Sequence, residues 1–256
     1  MNSGAPNFDR VARPYRLLEY LTLGRTLEHT RFHFLPQLAS RTRALVLGDG
    51  DGRFLTALLS QNPRLHAHAV DSSGAMLTLL RKRLERNPSS RAHGEMVQGG
   101  FFLRKKPPDG LAPTSGDSNS DFALATAANR TETHNVDAQT FAEGLPHIQN
   151  YDLVTTHFFL DCLTQAQVET LVATLTPHLT PGALWLVSDF RIPTGLLALP
   201  ARLFVRGLYG AFRLLTGLRV TRLPDHHRAL ARAGMVLTAQ HFALYGLLTT
   251  ELWRKP

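Results

Sequence analysis

The chain has 256 residues, 43% of them apolar and 19% charged. That is ordinary globular composition and excludes a disordered, collagen-like or disulfide-rich protein. With 28 basic and 20 acidic side chains the net charge is +8, which favours anionic partners, but the positive residues are scattered rather than gathered into the patch that nucleic-acid binding needs, so nucleic acid is not an expected partner. The lone cysteine, Cys162, forbids an internal disulfide and suits a reducing compartment, so a cytoplasmic location is expected. Residues 1–10 lack the apolar stretch of a signal peptide, and no uncharged run approaches the roughly 18 residues of a membrane span.

In chain order, Val11 to Leu38 carries Leu17, Leu18, Leu21, Leu27 and Phe34 at roughly helical spacing, which predicts an N-terminal helical segment over residues 1–40. Ala44 to Leu47 is a short apolar run ending in glycines and reads as a buried strand. A helix is expected from Phe54 to Gln61, and a second strand from His66 to Val70, ending at Asp71. Ser72 or Ser73 can cap the next helix, Gly74 to Arg86, whose Met76, Leu79, Leu80 and Leu84 form one apolar face.

Residues 88–132 break this rhythm. Lys105 to Ser120 is rich in Pro, Gly, Ser, Asp and Asn and reads as a mobile surface insertion, while Glu95 to Phe102 fits a strand or a loop equally. A strand is expected to end near Asn135 and Val136, just before Asp137, and another runs from Asp152 to Thr156. Thr164 with Gln167 three residues on is a capping box opening a helix with Val168, Leu171, Val172 and Leu175 on its buried face. Pro181-Gly182 turns into a strand at Ala183 to Asp189, and Leu196 to Leu215 reads as an amphipathic helix. A short helix starts at Pro224-Asp225 and stops at Gly234; two strands close the chain, near Val236 to Phe242 and Leu247 to Trp253. Strands alternating with helices predict one α/β domain over 1–256, doubly wound on a mostly parallel sheet.

The informative stretch is Gly48-Asp49-Gly50-Asp51-Gly52 between strand and helix. Glycine permits a tight turn and close approach of a ligand to bare backbone, and the following helix offers its N-terminal N–H groups. A dinucleotide fingerprint, G-x-G-x-x-G, would need glycine where Arg53 stands. The G-x-G-x-G spacing instead resembles motif I of the class I S-adenosylmethionine-dependent methyltransferases. Tyr151-Asp152-Leu153-Val154 resembles that family's fourth strand, Thr180-Pro181-Gly182-Ala183-Leu184 the turn before its fifth, and Leu230 to Met235 the run before its sixth. Phe8 to Tyr15 is similar to the opening of quinone-type and small-molecule methyltransferases. The similarity extends from about Phe8 to Trp253, except the insertion.

The resemblance implies a seven-stranded Rossmann-like methyltransferase fold with an antiparallel C-terminal strand, and S-adenosyl-L-methionine as cofactor. It places Gly48, Asp49, Gly50 and Gly52 at the cofactor's methionine end, Asp71 and Ser72 at its ribose, and Asp137 at its adenine. Phe8 and Tyr15 would lie over it as part of an N-terminal lid, or would simply staple a packed helix. His157, at the end of the fourth strand, is the candidate base or substrate contact, or a residue packed on the cofactor. One departure stands out: Val46 occupies the place where relatives usually carry an acid, and Asp49 could substitute for it electrostatically. That departure keeps open a catalytically inactive methyltransferase-fold binding or scaffold protein.

The fourth-strand end lacks the [DNS]-P-P-[YF] of methylases acting on exocyclic base amines, and Cys162 does not follow a proline as in cytosine C5 methylases. Both weigh against a nucleic-acid acceptor, and a small-molecule acceptor is expected. No metal is expected, because the adjacent His226-His227 pair faces two sides of a helix. Residues 192–222 are read as a helical substrate wall, where Leu203, Leu214, Leu215, Phe204 and Phe212 supply apolar surface. Arg202 and Arg206 there could meet anionic head groups of an apolar or lipid-like acceptor or a membrane surface.

Overall fold

The computed structural model describes residues 23, 25–86, 130–146, 150–216, 220 and 222–256. Phe8, Tyr15, the bulk of the 88–132 insertion and the segment from Glu95 to Phe102 lie outside these residues. The described chain runs α1 (Thr26–Phe32), β1 (Arg43–Leu47), α2 (Arg53–Gln61), β2 (His66–Val70), α3 (Gly74–Glu85), β3 (Thr131–His134), α4 (Ala138–Glu143) and β4 (Tyr151–His157). It continues with α5 (Gln165–Leu175), β5 (Leu179–Phe190), α6 (Ala198–Thr216), α7 (His226–Arg232), β6 (Val236–Ala243) and β7 (Leu248–Arg254).

One seven-stranded sheet has the order β3-β2-β1-β4-β5-β7-β6. β1 to β5 run parallel to one another, and β7 runs antiparallel between β5 and β6. The expected fold is therefore the observed one. The central strands are short apolar runs because helices cover both faces. On one face Phe54, Leu55 and Leu58 of α2 and Leu80 and Leu84 of α3 pack on Val46, Ala69 and Leu186. On the other, Val168, Leu171, Val172 and Leu175 of α5, with Ala229 and Leu230 of α7, pack on Leu45, Val154, Trp185 and Trp253. The start of the sheet is clamped by Asp152, whose carboxylate accepts from Thr42 N (2.7 Å), Thr42 Oγ1 (2.9 Å) and Arg43 N (2.8 Å), tying β4 to β1.

Local signals place the elements. Thr164 and Gln167 form the expected capping box on α5. Asp225 caps α7 by accepting from Arg228 N at 2.8 Å, and the helix ends just before Gly234, which has φ +81°. Of the two serines expected to cap α3, Ser73 does so, accepting from Met76 N at 3.2 Å. Two boundaries differ from expectation. β3 begins at Thr131, inside the range assigned to the insertion, and stops at His134; the residues after it turn to cap α4. β5 extends back through Pro181-Gly182 to Leu179, because a bulge absorbs the turn between the pairs Tyr151–Leu179 and Leu153–Leu184.

Candidate functional site

The parallel strands β1, β2, β3 and β4 end on one edge of the sheet, and chain direction switches sides between β1 and β4. A crevice at such a switch point is where open α/β sheets bind ligands. The loop from Gly48 to Gly52 leaves β1 at this point. All three glycines sit in the left-handed region, at φ +66°, +62° and +78°. Gly48 N donates to the carbonyl of Val70 (2.9 Å), which ties the loop to the end of β2 just before Asp71.

The glycines are required for different reasons. A Cβ on Gly48 would collide with the ring of Phe159, and one on Gly52 would lie 2.7 Å from Leu80 Cγ and 3.1 Å from Leu80 Cα. The protein itself therefore fills the space at the first and third glycines. At Gly50 the nearest atom to such a Cβ is Met76 Sδ at an ordinary 3.8 Å, so only the backbone conformation requires glycine there, and its surface is open to a ligand. Asp51 fastens the loop from outside: its carboxylate pairs with Arg53 (3.0 Å) and with Arg83 of α3 (2.6 Å).

Asp49 is buried within the loop. Its Oδ2 accepts from Leu55 N at 2.9 Å, while Oδ1 is buried without a hydrogen-bond partner among the described residues. Burial pushes its pKa up to about 6, against the pull of the nearby Arg31 charge. Val46, at the place of the expected acid, is a packed core residue. Arg31 of α1 is itself buried, 5.6 Å from the centre of the Phe158 ring. Nothing in the sequence pattern of α1 flagged it.

Asp71 ends β2, half-buried, with Oδ1 accepting from Ser73 N at 2.8 Å; its backbone N donates to His134 O, linking it to the end of β3. Ser72 beside it is exposed. Asp137 is exposed and caps α4, accepting from Gln139 N (3.1 Å), Thr140 N (3.0 Å) and Thr140 Oγ1 (2.6 Å). Those bonds hold its carboxyl below the usual range, outweighing partial burial, which acts the other way.

His157 closes β4 at 3% exposure. Its ring packs on Phe54 with centroids 4.1 Å apart, and Nδ1 lies 2.9 Å from Ser188 Oγ, which donates on to Thr250 Oγ1. In that chain Nδ1–H donates to Ser188 and Nε2 is the acceptor nitrogen. Burial, with the Arg31 charge, holds His157 well below the usual imidazole value, so it is neutral. Phe158 then takes the left-handed conformation at φ +52° as the chain turns towards Phe159, whose ring covers Gly48.

Beyond β4 and β5 lies a group of residues that no motif joins. Asp161 and Asp189 are both buried; Asp189 accepts from Asp161 N (3.1 Å) and Phe190 N (2.8 Å). Burial pushes both carboxyls up, and for Asp189 the Asp161 charge adds to it. Tyr209 of α6 donates its hydroxyl to the Asp161 carbonyl at 2.9 Å, fixing α6 over this end of the sheet. Ala201, Val205 and Tyr209 form the buried face of α6, whereas Arg202, Leu203 and Arg206 face outward.

No family model and no curated protein matches the chain. Solved structures do. The mitomycin 7-O-methyltransferase MmcR is similar over 100% of this chain and 62% of its own, at TM-score 0.60 and 16% identity. An O-methyltransferase homologue from Nostoc punctiforme PCC 73102 is similar over 100% of this chain and 64% of its own, at TM-score 0.59 and 14% identity. The N-methyltransferase NodS from Bradyrhizobium japonicum WM9, in complex with S-adenosyl-L-homocysteine, is similar over 90% of this chain and 88% of its own, at TM-score 0.54 and 11% identity. The chain thus spans under two thirds of the length of the first two. At these identities the likeness establishes the methyltransferase fold.

Proposed function

We propose that this chain is an S-adenosylmethionine-dependent methyltransferase acting on a small, apolar or lipid-like acceptor. The observation that carries the reading is the left-handed glycine loop at the switch point, with Gly50 open, Asp49 Oδ1 buried and unpartnered among the described residues, and Asp71 tied beside it through Val70 and His134. These donors and acceptors fit an adenosyl amino acid. In this reading Asp49 Oδ1 accepts from the ammonium of the methionine end, standing in for the acid that Val46 replaces. The loop around Gly50, between Gly48 and Gly52, lies along that end. Asp71 accepts from the ribose hydroxyls, with Ser72 alongside, and Asp137 faces the adenine edge. The similar fold of NodS, solved in complex with S-adenosyl-L-homocysteine, supports the choice of cofactor.

The cofactor supplies an electrophilic methyl on a sulfonium whose leaving group is a neutral thioether. What remains for the chain is to hold an acceptor in line and to keep water out. His157, neutral and closed in by Phe54 and Ser188, serves here as a wall of the crevice that also packs against the cofactor, rather than as an open base. The acceptor class is supported by α6 and the turn before it. Leu196 is 97% exposed, Leu199 65% and Leu203 61%, beside the exposed Arg202 and Arg206. Such a mixed face suits an apolar substrate or an anionic membrane surface. Among the described residues no helix is long and apolar enough to cross a membrane.

Calorimetric titration with S-adenosylmethionine tests the cofactor. One site per chain is expected, and Asp71→Ala should weaken binding at least tenfold, about 1.4 kcal/mol. Unchanged affinity in a folded Asp71→Ala protein refutes the assignment. Binding without turnover across a broad panel of small nucleophiles would instead select the inactive binding protein. Co-sedimentation with anionic vesicles tests the α6 face, and Leu203→Glu with Arg206→Glu should abolish it; no sedimentation of the wild type refutes that part.

A further inference from the structure

Away from the glycine loop, β2 and β3 place two histidines and a glutamate together. The parallel register sets His68 opposite Glu132 and Val70 opposite His134, so His68, Glu132 and His134 share one face. His68 Nε2 and His134 Nε2 lie 3.9 Å and 4.0 Å from Glu132 Oε2, and the three candidate ligand atoms all lie within 4.8 Å of one another. The two imidazoles are stacked, with centroids 5.2 Å apart and planes 19° apart. Phe141 and Tyr151 wall the group, with Tyr151 5.6 Å from the His68 ring and Phe141 4.7 Å from the His134 ring.

A second observation points to a ligand. Three buried polar atoms without a hydrogen-bond partner among the described residues belong to this one group: His68 Nδ1, His134 Nε2 and the Tyr151 hydroxyl. Such an atom costs free energy that a partner recovers, and of the three His134 Nε2 is the one that stands against Glu132, where a bound ion would meet it.

We propose that His68, Glu132 and His134 form a binding site for a divalent transition-metal ion of the zinc class. Two imidazole nitrogens and one carboxylate oxygen are the donor set such ions take, with bonds of about 2.0–2.2 Å. Tetrahedral ligands at that radius stand ~3.3–3.5 Å apart, so the widest pair, within 4.8 Å, has up to ~1.5 Å to close, while the two distances to Glu132 need to shorten by only about half an ångström. Glu132, whose side chain is 71% exposed, is free to make that movement. The ion would pin β3, a four-residue edge strand, to β2. It would also fix His134, whose carbonyl holds the Asp71 backbone. The site does not depend on the methyltransferase reading, and neither stands or falls with the other.

The test uses full-length, tag-free protein treated with chelator, titrated with Co²⁺ for visible ligand-field bands and equilibrated with Zn²⁺ for metal content. The expected result is one ion per chain at low-micromolar affinity or tighter, with a higher melting temperature. His68→Ala, His134→Ala and Glu132→Gln should each weaken binding about tenfold or more, while the exposed His29→Ala leaves it unchanged. If either histidine variant fails to fold, Glu132→Gln, on an exposed side chain, still decides. Absence of binding by the wild type, sub-stoichiometric binding, or wild-type affinity in the folded variants overturns the proposal.

Discussion

Replacing Gly52 by alanine should cost far more than the same change at Gly182, although both residues have nearly the same backbone conformation, φ +78° and +76°. An L-residue in the left-handed region costs about 1–2 kcal/mol, and that penalty applies to both. At Gly182 nothing lies within 4 Å of the new Cβ, so the penalty ends there. At Gly52 the Cβ would sit 2.7 Å from Leu80 Cγ and 3.1 Å from Leu80 Cα. The side chain could turn away, but the α3 backbone could not without moving the helix, and overpacking of this kind adds about 1–3 kcal/mol. Gly52→Ala should therefore lose about 2–5 kcal/mol in urea denaturation, and Gly182→Ala about 1–2 kcal/mol. The gain from a less flexible unfolded chain is common to both and cancels. Equal losses within ~0.5 kcal/mol, or a milder effect at Gly52, would refute the claim that the third glycine exists to let α2 and α3 approach. Gly48→Ala meets the Phe159 side chain, with Cγ at 3.0 Å and Cβ at 3.2 Å, so Phe159→Ala, which removes the ring, should rescue part of its loss.

Asp49→Asn should give a protein that is more stable yet binds S-adenosylmethionine less well. Burial raises Asp49 to about 6, so its contribution to stability is present below its usual pKa of 3.8 and is lost as pH rises through 6. The variant should gain on the wild type between pH 4 and 7 by up to about 3 kcal/mol in urea melts; a constant difference across that range contradicts the burial argument. Glu251→Gln should do the reverse. Glu251 pairs with His226 at 3.4 Å and accepts from Trp253 Nε1 and Gln240 Nε2, bonds that outweigh burial and hold it at about 2. Its contribution of about 3 kcal/mol is present above pH 4.5 and is lost as pH falls through 2. At pH 7 the variant should lose about 3 kcal/mol, shrinking towards pH 2, and a loss independent of pH would contradict the stabilisation of this carboxylate by its partners.

What could be read from the sequence follows from how local each signal is. The alternation of apolar strand and capped helix fixes the sheet because Thr164–Gln167, Asp225 and the left-handed glycines act within a few residues of themselves. β3 was misplaced because an edge strand need not be apolar, and Thr-Glu-Thr-His carries no hydrophobic run. The acids Asp161, Asp189 and Glu251 are buried in segments that otherwise read as core. Only pairing between distant strands and helices shows what satisfies them. The histidines at positions 68 and 134 stand 66 residues apart in sequence and meet only through the β2–β3 register, so a search for ligand spacing passes over them. Within the site, Gly48, Gly50, Gly52 and Asp71 were visible as a motif. The burial of Asp49 and the inward placement of Arg31 depend on how α1 packs, which no motif encodes.

A crystal structure of the protein grown with S-adenosyl-L-homocysteine tests the central claim most directly. The account predicts the nucleoside in the crevice between β1 and β4, its ribose hydroxyls on the Asp71 carboxylate and its amino group on Asp49 Oδ1. A ligand bound elsewhere, or a crevice closed by protein side chains at saturating nucleoside, would contradict it and leave only the architecture standing.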